Sequence, residues 1–75
     1  MRRSRKRKGE VIGGGYFVYR RGKRTGRISI ASKLPFEHPS FEAALQEADR
    51  LHALEPKESF GVMCEMYRIS PQDFE

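Results

Sequence analysis

The chain is short of three things: cysteine, long apolar runs, and acidic side chains in its first 33 residues. Cys64 is the single cysteine among 75 residues, so no disulfide can form within the chain and nothing indicates an oxidising compartment. No apolar run approaches the length that crosses a bilayer. Residues 2–8 resemble the charged start of a secretion signal, but Gly9 and Glu10 follow where an apolar stretch would be needed. We therefore expect a soluble, cytoplasmic protein with no membrane partner.

Motifs that carry catalysis or metal binding are also scarce. The soft metal ligands are His38, His52 and Cys64, and their spacing matches no zinc motif. We expect Cys64 on the core side of a strand, where a thiol acts as a small apolar group. The carboxylates of the second half are expected on a helix exterior, away from any cleft that would shift their pKa values. We predict no enzymatic activity, no cofactor and no bound metal.

The shortage of acids in the first part makes the charge strongly asymmetric. Residues 1–33 contain twelve Lys and Arg but one acid, Glu10, for a net charge of +11. Residues 34–75 have a net charge of −6, so the total of +5 hides the contrast. Clustered positive charge attracts polyanions and speeds the encounter with them. The composition therefore indicates a binding protein.

The first 15 residues have the composition of a basic arm and a hinge. Six of the seven residues from 2 to 8 are cations, and because like charges repel and bury nothing, we predict disorder there. The glycines at 13–15 predict a flexible hinge. A phosphate-binding loop would need a helix directly after them. The predicted organisation is a disordered basic arm and glycine hinge over 1–15, one domain over 16–70 and a frayed C-terminus over 71–75.

The domain begins with a predicted β-hairpin. Aromatic and β-branched residues favour a first strand over 16–20. The glycine-bounded stretch 22–26 has turn composition, and residues 27–32 alternate in polarity, with Ile28 and Ile30 on one predicted face of a second strand. Which face of the first strand meets the core stays open, because its residues are apolar on both faces.

A helix and a third strand follow the hairpin. Ser40 is a good N-cap residue, and Pro56 should end the helix near Leu54. Five apolar residues have helical spacing and predict one apolar stripe: Phe41, Ala44, Leu45, Ala48 and Leu51. Residues 60–67 predict the third strand, with Cys64 on its core face.

These elements predict an α+β fold of ββαβ order. A right-handed crossover through the helix should return the third strand parallel to the second. The simplest sheet then has three strands in the order 2-1-3, with the one helix packed on one face. The other face would be open unless a partner or a second copy covers it.

Part of this pattern resembles known small proteins. The run from Ser40 to Leu51, then Pro56 and residues 60–63 (Phe-Gly-Val-Met), is similar to a pattern in short uncharacterised bacterial and prophage proteins. The resemblance covers residues 16–68; it implies a ββαβ fold and a bacterial or phage origin, and it brings no catalytic residues. A more distant resemblance is to arm-type DNA-binding domains of phage integrases, which usually place three strands before the helix.

Two groups of cations are the candidate binding residues. The arm contributes Arg2, Arg3, Arg5, Lys6, Arg7 and Lys8, and the hairpin contributes Arg20, Arg21, Lys23, Arg24 and Arg27. Contacts between such residues and phosphates release counterions, which gives salt-dependent affinity without sequence preference, and arginine suits bidentate phosphate contacts. We predict non-enzymatic binding of nucleic acid, with DNA and RNA both open. Deletion of residues 2–8 should weaken binding uniformly and reduce its salt slope.

Aromatic residues near the hairpin offer a second kind of contact. The candidates for stacking on unpaired bases, beside Arg20 or Arg21, are Tyr16, Phe17, Tyr19 and Tyr67.

The acidic half supports an alternative, a protein–protein interaction module. A negative helix exterior and a positive hairpin could dock on a protein partner, or on a second copy head to tail. An open sheet edge could also add a strand from a partner, as in a phage-derived inhibitor or regulator of a host protein. The two hypotheses differ in the surface they need: the basic arm and hairpin for nucleic acid, the helix exterior or a sheet edge for a protein.

Overall fold

Four elements of secondary structure form the molecule. A computed structural model describes residues 6–30 and 33–71. It contains β1 (Tyr16–Arg21), β2 (Ile28–Ser29), α1 (Phe41–Leu54) and β3 (Ser59–Cys64). The sheet has the order β2-β1-β3, so the predicted α+β fold of ββαβ order is confirmed. Because β1 is antiparallel to both neighbours, β2 and β3 run in the same direction, as the crossover argument predicted.

The helix α1 begins and ends where the sequence indicated. Ser40 is the N-cap in extended conformation, and its hydroxyl oxygen accepts a hydrogen bond of 3.1 Å from the backbone N–H of Ala43. Glu42 lies in the first turn, where the helix dipole favours an acid. At the other end the N–H of Glu55 donates to the carbonyl of Leu51, and Pro56 cannot continue the helix.

The turn between β1 and β2 closes through backbone hydrogen bonds. The N–H of Gly22 donates to the carbonyl of Arg27, and the N–H of Gly26 donates to the carbonyl of Gly22, both at 2.9 Å. Gly26 has φ +72°, a conformation that residues with a Cβ rarely adopt. The Thr25 hydroxyl accepts from the N–H of Arg27. This turn places the hairpin cations at one end of the sheet.

The register of the sheet decides which face of β1 meets the helix. Tyr16 contacts Phe41 of α1 with ring centroids 6.5 Å apart, and Val18 lines a cavity with Leu51. Alternation along a strand therefore puts Phe17, Tyr19 and Arg21 on the face away from α1. These contacts settle which of the two apolar faces of β1 meets the helix.

The core under the helix is thin. Among the described residues, the buried hydrophobic side chains are Ala44 and Ala48, whose small size lets α1 approach the sheet closely. Leu51 is half-buried, while Phe41 and Leu45 are 47 % and 41 % exposed. The predicted apolar stripe therefore faces the sheet along its centre, and one border of it stays in solvent.

The second strand is shorter than the sequence predicted. β2 pairs with Arg20 and Arg21 alone, because the N-terminal end of β1 uses the same edge to bond His38: the N–H groups of Tyr16 and His38 each donate to the other residue's carbonyl. Ile28 lies opposite Arg21, whereas Ile30 follows the strand and lines a cavity with residues on the helix side. The prediction of one shared face was wrong for this pair. Positions 31 and 32 of the predicted strand lie outside the described residues.

The third strand also ends early, and this exposes its last residues. β3 ends at Cys64, so Met66 and Tyr67 follow it and are 89 % and 80 % exposed. Cys64 itself is exposed, which corrects the prediction of a core thiol. The reason is its place as the last residue of a strand that has β1 as its neighbour on one side. Of the predicted frayed terminus over 71–75, positions 72–75 lie outside the described residues.

The segment before β1 packs against the connection between β2 and α1. The backbone N–H of Val11 donates to the carbonyl of Glu37, and the N–H groups of Gly13 and Gly15 donate to the Glu37 carboxylate at 3.0 and 2.7 Å. In return, the Glu10 carboxylate accepts from the N–H of Glu37. We call Glu10 and Glu37, with the N–H groups they hold, the carboxylate clasp.

The carboxylate clasp changes the interpretation of the predicted arm and hinge. Glu10 and Glu37 are only 5 % and 9 % exposed, and the glycines at 13 and 15 are tied by hydrogen bonds. Where the sequence predicts a disordered arm and a flexible hinge, the structure has hydrogen bonds from Gly13 and Gly15 to Glu37. Composition could not reveal this, because the partner that orders the glycines is 22 residues further along the chain. Positions 1–5 of the arm lie outside the described residues.

Candidate nucleic-acid interface

The eleven predicted contact residues have different surroundings. Arg2, Arg3 and Arg5 lie outside the described residues. The other eight are described, and they fall into three groups: side chains bound to the protein itself, side chains paired with surface acids, and side chains with no acidic partner in the described part of the chain.

Arg7 belongs to the protein's own structure. Its Nε and Nη2 atoms donate to the Glu10 carboxylate at 3.3 and 3.1 Å, and Nη2 also donates to the carbonyl of Leu34 at 2.7 Å. The guanidinium lies 5.4 Å from the ring centroid of Phe36. These hydrogen bonds lower the pKa of Glu10 from 4.5 to about 2. Lys6 and Lys8, on either side, are exposed and have no acidic partner among residues 6–30 and 33–71.

Arg20 and Lys23 are paired with acids that follow the helix. Arg20 Nη1 lies 3.6 Å from Glu55 and 3.9 Å from Glu58, and Lys23 Nζ lies 3.8 Å from Glu58. Arg20 points to the helix side of the sheet and lies 5.7 Å from the ring centroid of Phe60. Solvent-exposed pairs of this kind are weak and screened by salt. They still reduce the charge that these two side chains offer to a ligand.

Arg21, Arg24 and Arg27 have no acidic partner among the described residues. Arg21 Nη1 donates to the carbonyl of Gly26 at 2.6 Å, a neutral group. Arg24 and Arg27 are exposed, and neither side chain is ion-paired within the described residues. Three guanidinium groups therefore stand at the hairpin end of the sheet without a neutralising acid.

An aromatic platform adjoins these arginines on the face away from the helix. The guanidinium of Arg21 lies 5.5 Å from the ring centroid of Tyr19. Tyr19 is the cross-strand partner of Gly61, and a Cβ on Gly61 would lie 2.5 Å from Tyr19 Cζ. The tyrosine ring therefore lies directly over the Gly61 backbone. Sequence reasoning did not identify Gly61, although a glycine inside a strand signals such a close approach.

Two of the four predicted stacking residues are elsewhere. Tyr16 faces the helix through Phe41, and Tyr67 follows β3 outside the sheet. Phe17 and Tyr19 share the face with Arg21, and Phe17 lies opposite Met63. The structure thus associates base-stacking candidates with Arg21 and separates them from Arg20, because residues one apart on a strand point to opposite faces.

The Phe17 end of this face is bordered by the N-terminal segment. Phe17 lines an open cavity of about 530 Å³ whose other walls are Arg7, Glu10, Ile12, Leu34, Pro35 and Glu37. Ile12 and Leu34 are 67 % and 60 % exposed. The wall of this cavity thus contains two carboxylates and one guanidinium, and the exposed Lys6 and Lys8 are the chain neighbours of Arg7.

The surface that the protein–protein interaction hypothesis requires lies between α1 and β3. An open groove of about 440 Å³ runs between α1 and β3, and its apolar lining includes Phe41, Leu45, Phe60 and Val62. His52 contacts Phe60 edge to face in the same groove. No strand pairs with the outer edge of β3 in the part of the chain that the structure describes.

The exterior of α1 carries the expected acids. Arg50 donates hydrogen bonds of 2.9 and 2.7 Å to the Glu47 carboxylate. These bonds lower the pKa of Glu47 and raise the pKa of Arg50. Glu47 and Arg50 therefore form a surface ion pair on the helix. They differ from the paired carboxylates in a cleft that acid–base catalysis needs.

The described residues contain neither a metal-binding cluster nor a helix that could span a membrane. No group of three or more His, Cys, Asp or Glu side chains comes together there as a metal site. The rings of His38 and His52 contact Phe36 and Phe60 respectively. The helix of the described chain is too short and too polar to span a membrane.

Comparisons with other proteins give no relatives. Nothing matches this chain among protein-family models, among curated proteins or among solved structures.

Proposed function

We propose that this protein binds nucleic acid without catalysis, through phosphate contacts from the basic hairpin. The observation that carries the proposal is the group of Arg21, Arg24 and Arg27 at one end of the sheet, with no acid pairing in the described chain. Guanidinium groups bind phosphates bidentately, and release of counterions makes such binding favourable at low salt. A cytoplasmic location and a bacterial or phage origin belong to the same proposal.

The remaining cations contribute unequally. Arg20 and Lys23 must leave Glu55 and Glu58 before they can contact a phosphate, so they add less than the three unpaired arginines. Lys6 and Lys8 are exposed and add non-specific affinity. Arg7 is committed to the carboxylate clasp, and we assign it a structural role.

The test is a salt series with a double substitution in the hairpin. Arg24→Gln with Arg27→Gln removes two exposed side-chain charges that form no ion pair within the described residues. We expect weaker binding of labelled nucleic acids in fluorescence anisotropy, and a salt slope smaller by about 2, because each lost phosphate contact reduces the slope by about 1.

A matched control removes two charges elsewhere. Arg50→Gln with Arg68→Gln lowers the net charge equally, but Arg50 is on the helix exterior beside Glu47 and Arg68 is beyond β3 beside Glu65. The control should bind nearly as well as the wild type. Equal losses in the two double variants would mean that net charge alone, and not the hairpin, determines binding.

The groove between α1 and β3 supports protein binding as a second candidate function. Phe41 and Leu45 present apolar surface there beside the outer edge of β3, and a strand added to such an edge gains main-chain hydrogen bonds. If the wild-type protein binds no nucleic acid at low salt, this second function becomes the leading one.

A further inference from the structure

The sheet face away from α1 carries a row of side chains that is unusual for a solvent-facing surface. Phe17, Tyr19 and Arg21 alternate along β1, spaced roughly 7 Å apart as every second residue of a strand. Ile28 lies opposite Arg21 and Met63 lies opposite Phe17. Such a face commonly packs on a core or faces water with polar residues. Here it is aromatic and cationic.

The described chain covers one end of this row. Residues of the N-terminal segment and of the connection to α1 line a cavity with Phe17, and neither Tyr19 nor Arg21 borders that cavity. The helix lies on the other face. Arg21 is exposed and Tyr19 is half-buried, so both offer surface to a ligand that approaches the sheet from this side.

Charge at the hairpin end of the row favours a polyanion. Arg24 and Arg27 extend from the hairpin at one end, and the exposed Lys6 and Lys8 flank Arg7 at the other. The acids nearest the hairpin, Glu55 and Glu58, contact Arg20 and Lys23, and Arg20 points to the helix side. The hairpin end of the row therefore carries guanidinium groups with no acidic partner in the described chain, whereas at the Phe17 end the carboxylates of Glu10 and Glu37 line the cavity with Arg7.

The chemistry of the row selects for unpaired bases. Aromatic rings and guanidinium planes stack on the flat faces of bases, and a duplex keeps those faces inside its own stack. Gly61 leaves room for the ring of Tyr19 over its backbone, and the Arg21 guanidinium lies 5.5 Å from the centroid of that ring. We infer that this face binds single-stranded nucleic acid, with bases on the Tyr19–Arg21 platform and Phe17, and with phosphates held by the hairpin arginines.

The inference rests on the proposed function and names its class of ligand. The test titrates wild-type protein with pyrimidine single strands of about 12 nucleotides, within the usual range of site sizes, as RNA and as DNA, and with a duplex of equal length. Tyr19→Ala removes the stacking ring. Tyr67→Ala is the matched control, because Tyr67 is an exposed tyrosine outside the sheet. Tyr19→Phe retains the ring and should retain wild-type affinity for the single strands.

We expect wild-type protein to prefer single strands to the duplex. Tyr19→Ala should weaken single-strand binding roughly 5- to 100-fold, the effect of losing one stacked base, with little change for the duplex. Single-stranded RNA and single-stranded DNA share the stacking chemistry. A preference for one of them in the titrations therefore identifies which of the two is the ligand.

A second measurement does not depend on removing the ring. The chain contains no tryptophan, so Tyr19→Trp introduces a single tryptophan on the platform, which is excited selectively at wavelengths that tyrosine does not absorb. Its emission should be quenched when a single strand binds and unchanged when a duplex binds.

The outcomes separate the two proposals. Tighter binding of duplex, or an equal effect of Tyr19→Ala and Tyr67→Ala together with no quenching, would overturn the stacking inference while phosphate binding by the hairpin stands. Absence of binding to every nucleic acid at low salt would overturn the proposed function as well.

Discussion

Arg7 and Arg24 are both arginines in basic stretches, but their surroundings give them different roles. Arg7 is held by Glu10, by the carbonyl of Leu34 and by the ring of Phe36, so its charge is used within the protein. Arg24 has no such partner in the described chain. At the scale of single residues, the acids nearby decide which cations remain available to a ligand.

The carboxylate clasp makes a prediction about acid. The pKa of Glu10 is lowered to about 2 by hydrogen bonds from Arg7. Since the folded-state pKa lies below the unfolded value, the stabilisation is present above about pH 4.5 and is lost as the pH falls towards 2. Glu10→Gln removes this ionisation. The stability difference between wild type and Glu10→Gln, from urea unfolding at several pH values, should shrink over that window.

Asp49→Asn is a suitable control for the acid experiment. Asp49 is exposed on α1 and forms no ion pair within the described residues. Its substitution therefore removes a carboxylate without removing an ion pair of the kind that Glu10 forms. A stability difference for Glu10→Gln that stays constant from pH 6 to about pH 2 would contradict the role assigned to the Glu10 carboxylate.

The elements of this fold are short, and α1 is the longest of them. With few buried side chains beneath it, the helix depends more than usual on its termini. Ser40 supplies the N-cap hydrogen bond, and Glu55 and Pro56 end the helix. The hairpin β1–β2 depends in a similar way on the Gly22–Gly26 backbone bond, because β2 contributes only two residues to the sheet.

Loss of the N-cap should be measurable at the scale of the helix. Ser40→Ala leaves the N–H of Ala43 without the acceptor that it has at 3.1 Å, and such substitutions cost about 1 kcal/mol. Ser70→Ala, at an exposed position beyond β3, should change the free energy of unfolding by less than about 0.5 kcal/mol. Equal effects in urea unfolding would show that the cap does not support α1.

The whole molecule is electrically polar. The basic first part and the acidic second part meet where Arg20 and Lys23 pair with Glu55 and Glu58. Most of the other cations are at the hairpin and in the N-terminal residues. A polyanion should therefore approach the hairpin and the face away from α1, and be repelled by the acidic exterior of the helix.

Truncation tests this at the scale of the chain. Removal of residues 2–5 deletes three arginines and leaves the carboxylate clasp intact. We expect uniformly weaker nucleic-acid binding, a smaller salt slope and an unchanged melting temperature. Removal of residues 2–8 also deletes Arg7, so the melting temperature should fall in addition.

A length control accompanies the truncation. Replacement of Arg2, Arg3 and Arg5 by glutamine keeps the chain length and should reproduce the binding loss of the shorter truncation. If removal of residues 2–5 leaves both affinity and salt slope unchanged, the first cations take no part in binding.

The local pattern of residues was sufficient to predict the elements and their order. Ser40 and Pro56 bound the helix through backbone chemistry that acts within a few residues. The ββαβ sequence of elements, together with the hand of crossovers, led to the strand order. The candidate cations of the hairpin were visible for the same reason, since charge composition needs no knowledge of distant contacts.

Contacts between distant parts of the chain decided the rest. The pairing of Tyr16 with His38 shortened β2, and the carboxylate of Glu37 ordered glycines that composition alone presents as a hinge. The distinction between Arg20 and Arg21 depends on which face of β1 the helix covers, and both faces are apolar enough to be covered. Local sequence cannot choose between two such faces, because the choice depends on the packing of α1 and the register of β3.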